Sequence, residues 1–187
     1  MASPAERRVC RRHDGQATVS VTTIEELTQP YFDLVAGWLS DPEINRWLTA
    51  EWRGRIVSPG LIAIMVRSKK NRVFLVRSNG QPLALTALAD IDTADATAMV
   101  WFFLGDSAFS GQGIVSQAVR QMVRKCFQEI KLESLYAWTM EDNLASAKVL
   151  QKVGFREAGR IRRATCSNGR QVDRIYFDMP ASECPAI

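Results

Sequence analysis

The chain of 187 residues is 47% hydrophobic and carries 24 Lys and Arg against 20 Asp and Glu, a formal charge of +4, which is material for one substantial core and one domain. Its longest apolar stretches, at 83–89 and 100–104, fall far short of the run of about 20 residues that crosses a bilayer, and Glu6 and Asp14 interrupt any secretory leader, so the cytoplasm is the expected compartment. Cys10, Cys126, Cys166 and Cys184 are scattered without paired spacing and His13 is the sole histidine, a pattern that supplies neither a zinc site nor a histidine-dependent triad.

Residues 1–17, with Arg7, Arg8, Arg11 and Arg12, read as a flexible basic tail ahead of a first strand near 18–22. Over 31–48, Leu34, Val35, Trp38 and Leu39 give an apolar helical face, and Pro42 divides the stretch into two short helices. Trp38 and Trp47 are core candidates first and walls of an acceptor pocket second. A second basic run, Arg67, Lys69, Lys70 and Arg72, makes an anionic partner a fair expectation. No aromatic and basic reading motif accompanies it, so nucleic acid is the weaker one. The period then changes to that of strands at 73–76, 83–89 and 99–104, with Asn79 and Gly80 as a hairpin turn and the acidic stretch 90–95 as a solvated connection.

The strongest periodicity follows. Ile114, Ala118, Met122, Cys126 and Ile130 recur every four residues beside Val115, Val119, Val123 and Phe127, which specifies an amphipathic helix and makes Cys126 a packing thiol. A strand at 134–139, a helix over 144–153 ended by Gly154, Phe155 entering the core, and a closing strand at 172–177 complete the chain. Ahead of the long helix stand Ser110, Gly111, Gln112, Gly113, Ile114, Val115 and Ser116. Glycines there allow close backbone approach, and the free amides of a helix start receive pyrophosphate oxygens. An ordinary strand-to-helix turn explains the glycine pair equally well when taken alone.

With SGQGIVSQAV and EDNLASAKVLQKVGF in this order, the chain resembles the GCN5-related N-acetyltransferase family over residues 18–179, especially the branch of ribosomal-protein amino-terminal acetylases. WLSDPEINRW, holding Trp38, Pro42 and Trp47, looks like the acceptor-side helices of that branch and of aminoglycoside acetylases. The resemblance implies an α/β domain with a mixed, mostly antiparallel central sheet flanked by helices and a splayed cofactor-binding strand pair, followed by a short tail at 180–187. It implies acetyl-coenzyme A or another acyl-coenzyme A as cofactor. Phe103, Leu104 and Gly105 would hold the pantetheine arm and Gly111 to Ser116 the pyrophosphate. Asn143 would either approach the cofactor or cap its helix.

The implied reaction sets a neutral amine against a thioester carbonyl, with a backbone donor for the developing oxyanion and a base or water chain for the amine proton. Relatives often carry an acidic residue where this chain has Trp138 and a tyrosine where it has Leu150. Trp138 is therefore grouped with Trp38 and Trp47 as a substrate contact, Leu150 is packing, and Asp92 and Glu141 become the carboxylate candidates, with water in competition. The expected acceptor is the primary amine of a small molecule, with a protein amino terminus as the nearest alternative and a noncatalytic acyl-coenzyme A sensor as the alternative of another kind. A homodimer is left open.

Overall fold

The computed structural model describes residues 21–185; the tail over 1–17, and the part of the expected first strand before residue 21, lie outside the described residues. A seven-stranded sheet runs in the order β1-β2-β3-β4-β5-β7-β6, built from β1 (Thr22–Glu26), β2 (Arg72–Ser78), β3 (Gln81–Asp92), β4 (Thr97–Leu104), β5 (Ser134–Met140), β6 (Arg156–Ser167) and β7 (Arg170–Pro180). Every neighbouring pair is antiparallel except β4 and β5. Asn79 and Gly80, at φ of 50° and 81°, make the tight β2–β3 turn, because a right-twisted hairpin needs both central residues left-handed. Among the described residues the first strand runs over Thr22–Glu26, with Thr22 paired to Ser78 at the end of β2.

Helices cover both faces. On one face lie α1 (Phe32–Ser40), the single turn α2 (Pro42–Asn45) and α3 (Pro59–Arg67). The break between α1 and α2 is set by Asp41, whose extended backbone ends the first helix while its Oδ1 accepts the Glu43 amide (2.8 Å) and caps the second, with Pro42 at the first helical position. On the other face lie α4 (Ile114–Lys125) and α5 (Leu144–Val153). Strand alternation divides the side chains between two cores. Leu88, Ala98 and Val100 pack with Val119, Met122 and Val123 of α4 and Leu150 and Val153 of α5, while Leu75, Leu85 and Ala87 pack under Val35, Leu39 and Ile62. Each large aliphatic buried in this way contributes about 1.5–3 kcal/mol.

The four-residue repeat that extends to Ile130 does not give one uniform helix: the last turn, Cys126–Ile130, is π-helical and ends on Lys131 at φ 64°. The wider turn shifts the phase, so Cys126 is fully buried whereas Phe127 and Ile130 are only partly covered. Burial pushes the Cys126 thiol up to about 12. A thiol reagent at neutral pH is therefore expected to label the exposed Cys166 in the native protein and to reach Cys126 only after denaturant is added; peptide mapping of the modified cysteines checks this.

At the end of the chain, the segment read as a tail is in contact with the domain. Ala181 N–H donates to the Glu133 carbonyl (2.8 Å), Glu183 pairs with Arg156 (3.0 Å), and Pro185 lies against the left-handed Gly154 that ends α5.

Candidate functional site

The parallel pair β4–β5 is hydrogen-bonded only from Thr97–Ser134 to Met99–Tyr136. Past Met99 the strands diverge, so alternate backbone groups of β4 face a gap and not a neighbouring strand. Two cavities meet this stretch of β4 on consecutive residues: Val100 and Trp101 line one, Phe102, Phe103 and Leu104 the other.

The larger cavity, about 610 Å³, lies between the end of β4 and the N-termini of α4 and α5. The Ser110–Ser116 segment forms one wall. Gly111 and Gly113 sit at φ 78° and 79°, a left-handed backbone that only glycine adopts without strain, and this sharp turn starts α4. The first backbone donation of α4 is Gln117 N–H to the Gly113 carbonyl (3.0 Å), which leaves the amides of Ile114, Val115 and Ser116 without an intrahelical acceptor. The opposite wall is α5, with Ser146, Lys148 and Lys152. Open amides at a helix N-terminus, two ammonium groups and a long cleft suit a phosphate-bearing ligand with an extended arm. Of the ten residues expected at the cofactor, Phe103, Leu104, Gly111, Gly113, Ile114, Val115 and Ser116 line this cavity, while Gly105, Gln112 and Asn143 do not. Gly105 packs under the Trp38 indole, Gln112 is exposed, and Asn143 caps α5 by accepting the Ser146 amide on Oδ1 (3.2 Å). Lys148 and Lys152 were not anticipated, yet they stand four apart on the helix surface that also carries Ala145 and Val149, a signal present in the helical spacing.

The smaller cavity, about 240 Å³, opens on the opposite face of the sheet. Ala89, Met99, Trp101 and Trp138 form its floor, Leu39 and Met65 its helical wall, and Leu48, Thr49 and Trp52 its rim. Trp138, expected as a substrate contact, is among the lining residues. Trp38 and Trp47 are not among the lining residues. Trp38 packs edge-on to Phe103 (6.1 Å between centroids), and Trp47 is covered by the Arg46 guanidinium at 4.7 Å. Trp101 and Trp52 line the cavity with Trp138. The face Trp101 uses follows from strand alternation once the partner helices are known, whereas Trp52 lies in a loop whose path no periodicity predicts.

The two carboxylates singled out for chemistry line neither cavity. Asp92 is exposed at the far end of β3, paired with Thr97 at the start of β4. Its Oδ1 accepts the amides of Ala94 (2.8 Å) and Asp95 (3.1 Å), and these bonds, the Asp95 one foremost, hold its carboxyl below the usual range. It is spent on a turn. Glu141 is half-buried just past β5, between Trp138 of one cavity and Ala145 of the other along the chain. Glu51, unforeseen, stands between the rim residues Thr49 and Trp52; a hydrogen bond with Thr49 first, then its own backbone, lowers its carboxyl, with smaller contributions from Arg174 and Arg55. Leu150 is buried in the core.

Comparison with known proteins agrees with this layout. Residues 22–156 match a family described as acetyltransferase (GNAT) domain. The probable N-acetyltransferase YjcK of Bacillus subtilis (strain 168) is 42% identical over 73 residues, 39% of this chain and 40% of that protein. The putative ribosomal N-acetyltransferase YdaF of the same organism is 25% identical over 101 residues, 54% of this chain and 55% of that one. The chain thus spans about half the length of these relatives. The structure of spermidine N-acetyltransferase from Vibrio cholerae, in complex with CoA and spermine, superposes with a TM-score of 0.78 at 16% identity, covering 87% of this chain and 96% of that one, a likeness of fold.

Proposed function

This chain belongs to the acetyltransferase (GNAT) domain family, and on that footing we propose that it transfers an acetyl or other short acyl group from acyl-coenzyme A to the primary amine of a small molecule. One observation carries the reading: a long cleft with free amides and lysines and a compact aromatic cavity abut on consecutive residues of the same splayed strand. The free amides and the two lysines of the cleft suit the anionic end of that cofactor. When bound there, acyl-coenzyme A supplies a thioester carbonyl that the amine attacks, so that a C–N bond forms, the C–S bond breaks and the thiol leaves.

The chain's own residues do the rest. The amides of Ile114, Val115 and Ser116, with Lys148 and Lys152, hold the anionic end, and the unpaired edge of β4 beyond Met99 takes the arm as an added strand would be taken. Trp101 and Trp138 wall the acceptor and exclude water from one side, which fixes its orientation. An ammonium must lose a proton before attack. With Asp92 committed to its turn and no carboxylate lining the cavity, water is the proposed carrier, and Glu141, which follows β5 between the two cavities along the chain, is the proposed acceptor of the proton through it.

Purified protein with acetyl-coenzyme A, challenged separately with small amines and with peptides of free amino terminus, tests the proposal by acyl-dependent product. Small amines are expected to be modified and peptides not. A peptide-only profile would assign the protein-terminus alternative, and cofactor binding without turnover on either set would assign the sensor. Glu141→Gln is expected to lower the pre-steady-state rate by on the order of 10²-fold, the lower end of general-base effects, without matching loss of cofactor binding. An unchanged rate and pH profile would leave deprotonation to solvent alone.

A further inference from the structure

Arg174, on β7, is not itself a lining residue of the acceptor cavity but stands against one, Trp138, in an arrangement that the reaction as proposed does not use. Antiparallel pairing sets Trp138 opposite Tyr176 and Met140 opposite Arg174, so all four side chains share the sheet face on which the cavity opens. The Arg174 guanidinium carbon stands 4.1 Å from the centroid of the Trp138 ring that walls the cavity. Its Nη1 reaches the Tyr176 hydroxyl only at 3.5 Å, and its Nε is buried without a partner. Other arginines of the sheet are matched: Arg77 with Glu25 (2.7 Å), Arg160 with Asp173 (3.2 Å) and Arg156 with Glu183 (3.0 Å). Among the described residues no carboxylate comes within 4.0 Å of Arg174. Glu51 acts on it only at longer range, from full exposure.

A half-buried guanidinium with an unsatisfied N–H is costly unless an anion completes it. Stacking on an indole holds the planar fork in a fixed orientation, the condition under which Arg selects a carboxylate by paired hydrogen bonds. The cavity adds its own selection. Its walls are three tryptophans, Leu39, Met65 and Met99, with no carboxylate to hold a second ammonium. At about 240 Å³ it lies below the range of roughly 300–1,000 Å³ that accepts drug-sized ligands.

We propose that Arg174 is a specificity-determining residue that binds the carboxylate of the acceptor, so that the substrate class is a small amine bearing both a carboxylate and an apolar or aromatic body, as an amino acid does. This rests on the assignment of the smaller cavity as the acceptor site. A polyamine is disfavoured by the same features, because its second cation would meet Arg174 and find no carboxylate among the lining residues, Glu51 lying exposed outside the rim.

The test compares acceptors that differ only in the carboxylate, phenylalanine against phenethylamine and leucine against 3-methylbutylamine, with acetyl-coenzyme A and matched free-amine concentrations. The full chain is expected to favour the carboxylate-bearing member of each pair in kcat/KM by on the order of 10- to 100-fold, the worth of one charge-assisted hydrogen bond. Arg174→Met should collapse that ratio towards one, mainly through KM of the amino acid, and Arg174→Lys should restore part of it. Coenzyme A affinity and thermal unfolding measured on each variant separate this from a folding defect, since a structural role alone would not move the ratio. Equal use of both members by the parent, or an unchanged ratio in folded Arg174→Met, overturns the role of Arg174 while leaving amine acylation standing. Failure to modify any small amine overturns the acceptor assignment itself, and this inference with it.

Discussion

Gly113→Ala is expected to bind coenzyme A roughly 5- to 30-fold more weakly than the parent while remaining folded. The reason is conformational. A Cβ at Gly113 would meet only Lys152 Nζ, at 3.8 Å, an ordinary contact, so simple obstruction within the protein is not the cause. Gly113 stands at φ 79°, where an L-residue costs about 1–2 kcal/mol, equivalent to the stated factor. Relaxation out of that region rotates the peptide that starts α4 and turns the amides of Ile114 to Ser116 away from their common focus. Ser110, at φ −61°, is in a region open to any residue, so Ser110→Ala serves as the control and should change affinity by less than about twofold, since surface substitutions outside such features stay within about 0.5 kcal/mol. Calorimetric titration with coenzyme A, alongside thermal unfolding, measures both. Parent affinity in folded Gly113→Ala would mean that the αL turn plays no part in holding the ligand.

Gly105→Ala should cost more, and in stability first. A Cβ there would fall 2.7 Å from Trp38 Nε1 and closer still to the neighbouring indole carbons, while the Gly105 amide is tied to the Leu83 carbonyl (2.7 Å) and cannot retreat. Trp38 in turn leans edge-on against Phe103, one residue short of the end of β4. Overpacking of this kind costs about 1–3 kcal/mol, a fall of roughly 2–12 °C in Tm for a domain of this size, and it displaces the strand end that lines the cofactor cleft, so turnover falls as well. Adding Trp38→Leu replaces the rigid indole with a flexible side chain that has no ring to meet the Cβ. The double variant is expected to recover a large part of the lost Tm, as coupled neighbours do, and additive losses would show that the indole is not what Gly105 accommodates.

Where one physical pattern decides the outcome, the chain is legible. The two helices around the cofactor cleft follow from their periodicity and from Gly113, Asn143 and Gly154 at their ends, and the β2–β3 hairpin follows from Asn79 and Gly80. The pattern gives no signal for β6. Its residues are mostly exposed, with Arg156, Arg160, Arg162 and Arg163 along it, because it is an edge strand kept charged on its free side; it exists through pairing with β7, interrupted at Gly159 and before Thr165. The smaller cavity was legible only in kind. Aromatic walls were expected, but which tryptophans form them depends on how loop 46–58 crosses the sheet. Asp92 illustrates the opposite error. An acidic residue two and three positions before turn amides is well suited to bond them, and that local use takes precedence over a distant catalytic one.

The three-residue seam between β4 and β5 has a consequence for how the molecule holds together. On one side of it stand β1 to β4 with the first four helices, on the other β5 to β7 with α5, and past Met99 the backbone does not knit the two. Phe103 and Ser116 line one bank of the cleft and Ser146 and Lys152 the other, so a ligand bound across it would stand in for the missing ladder. An occupant would act as a clasp: beyond the core that Val119, Leu135 and Leu150 already share across the seam, it would raise the free energy of opening that seam with the logarithm of its concentration.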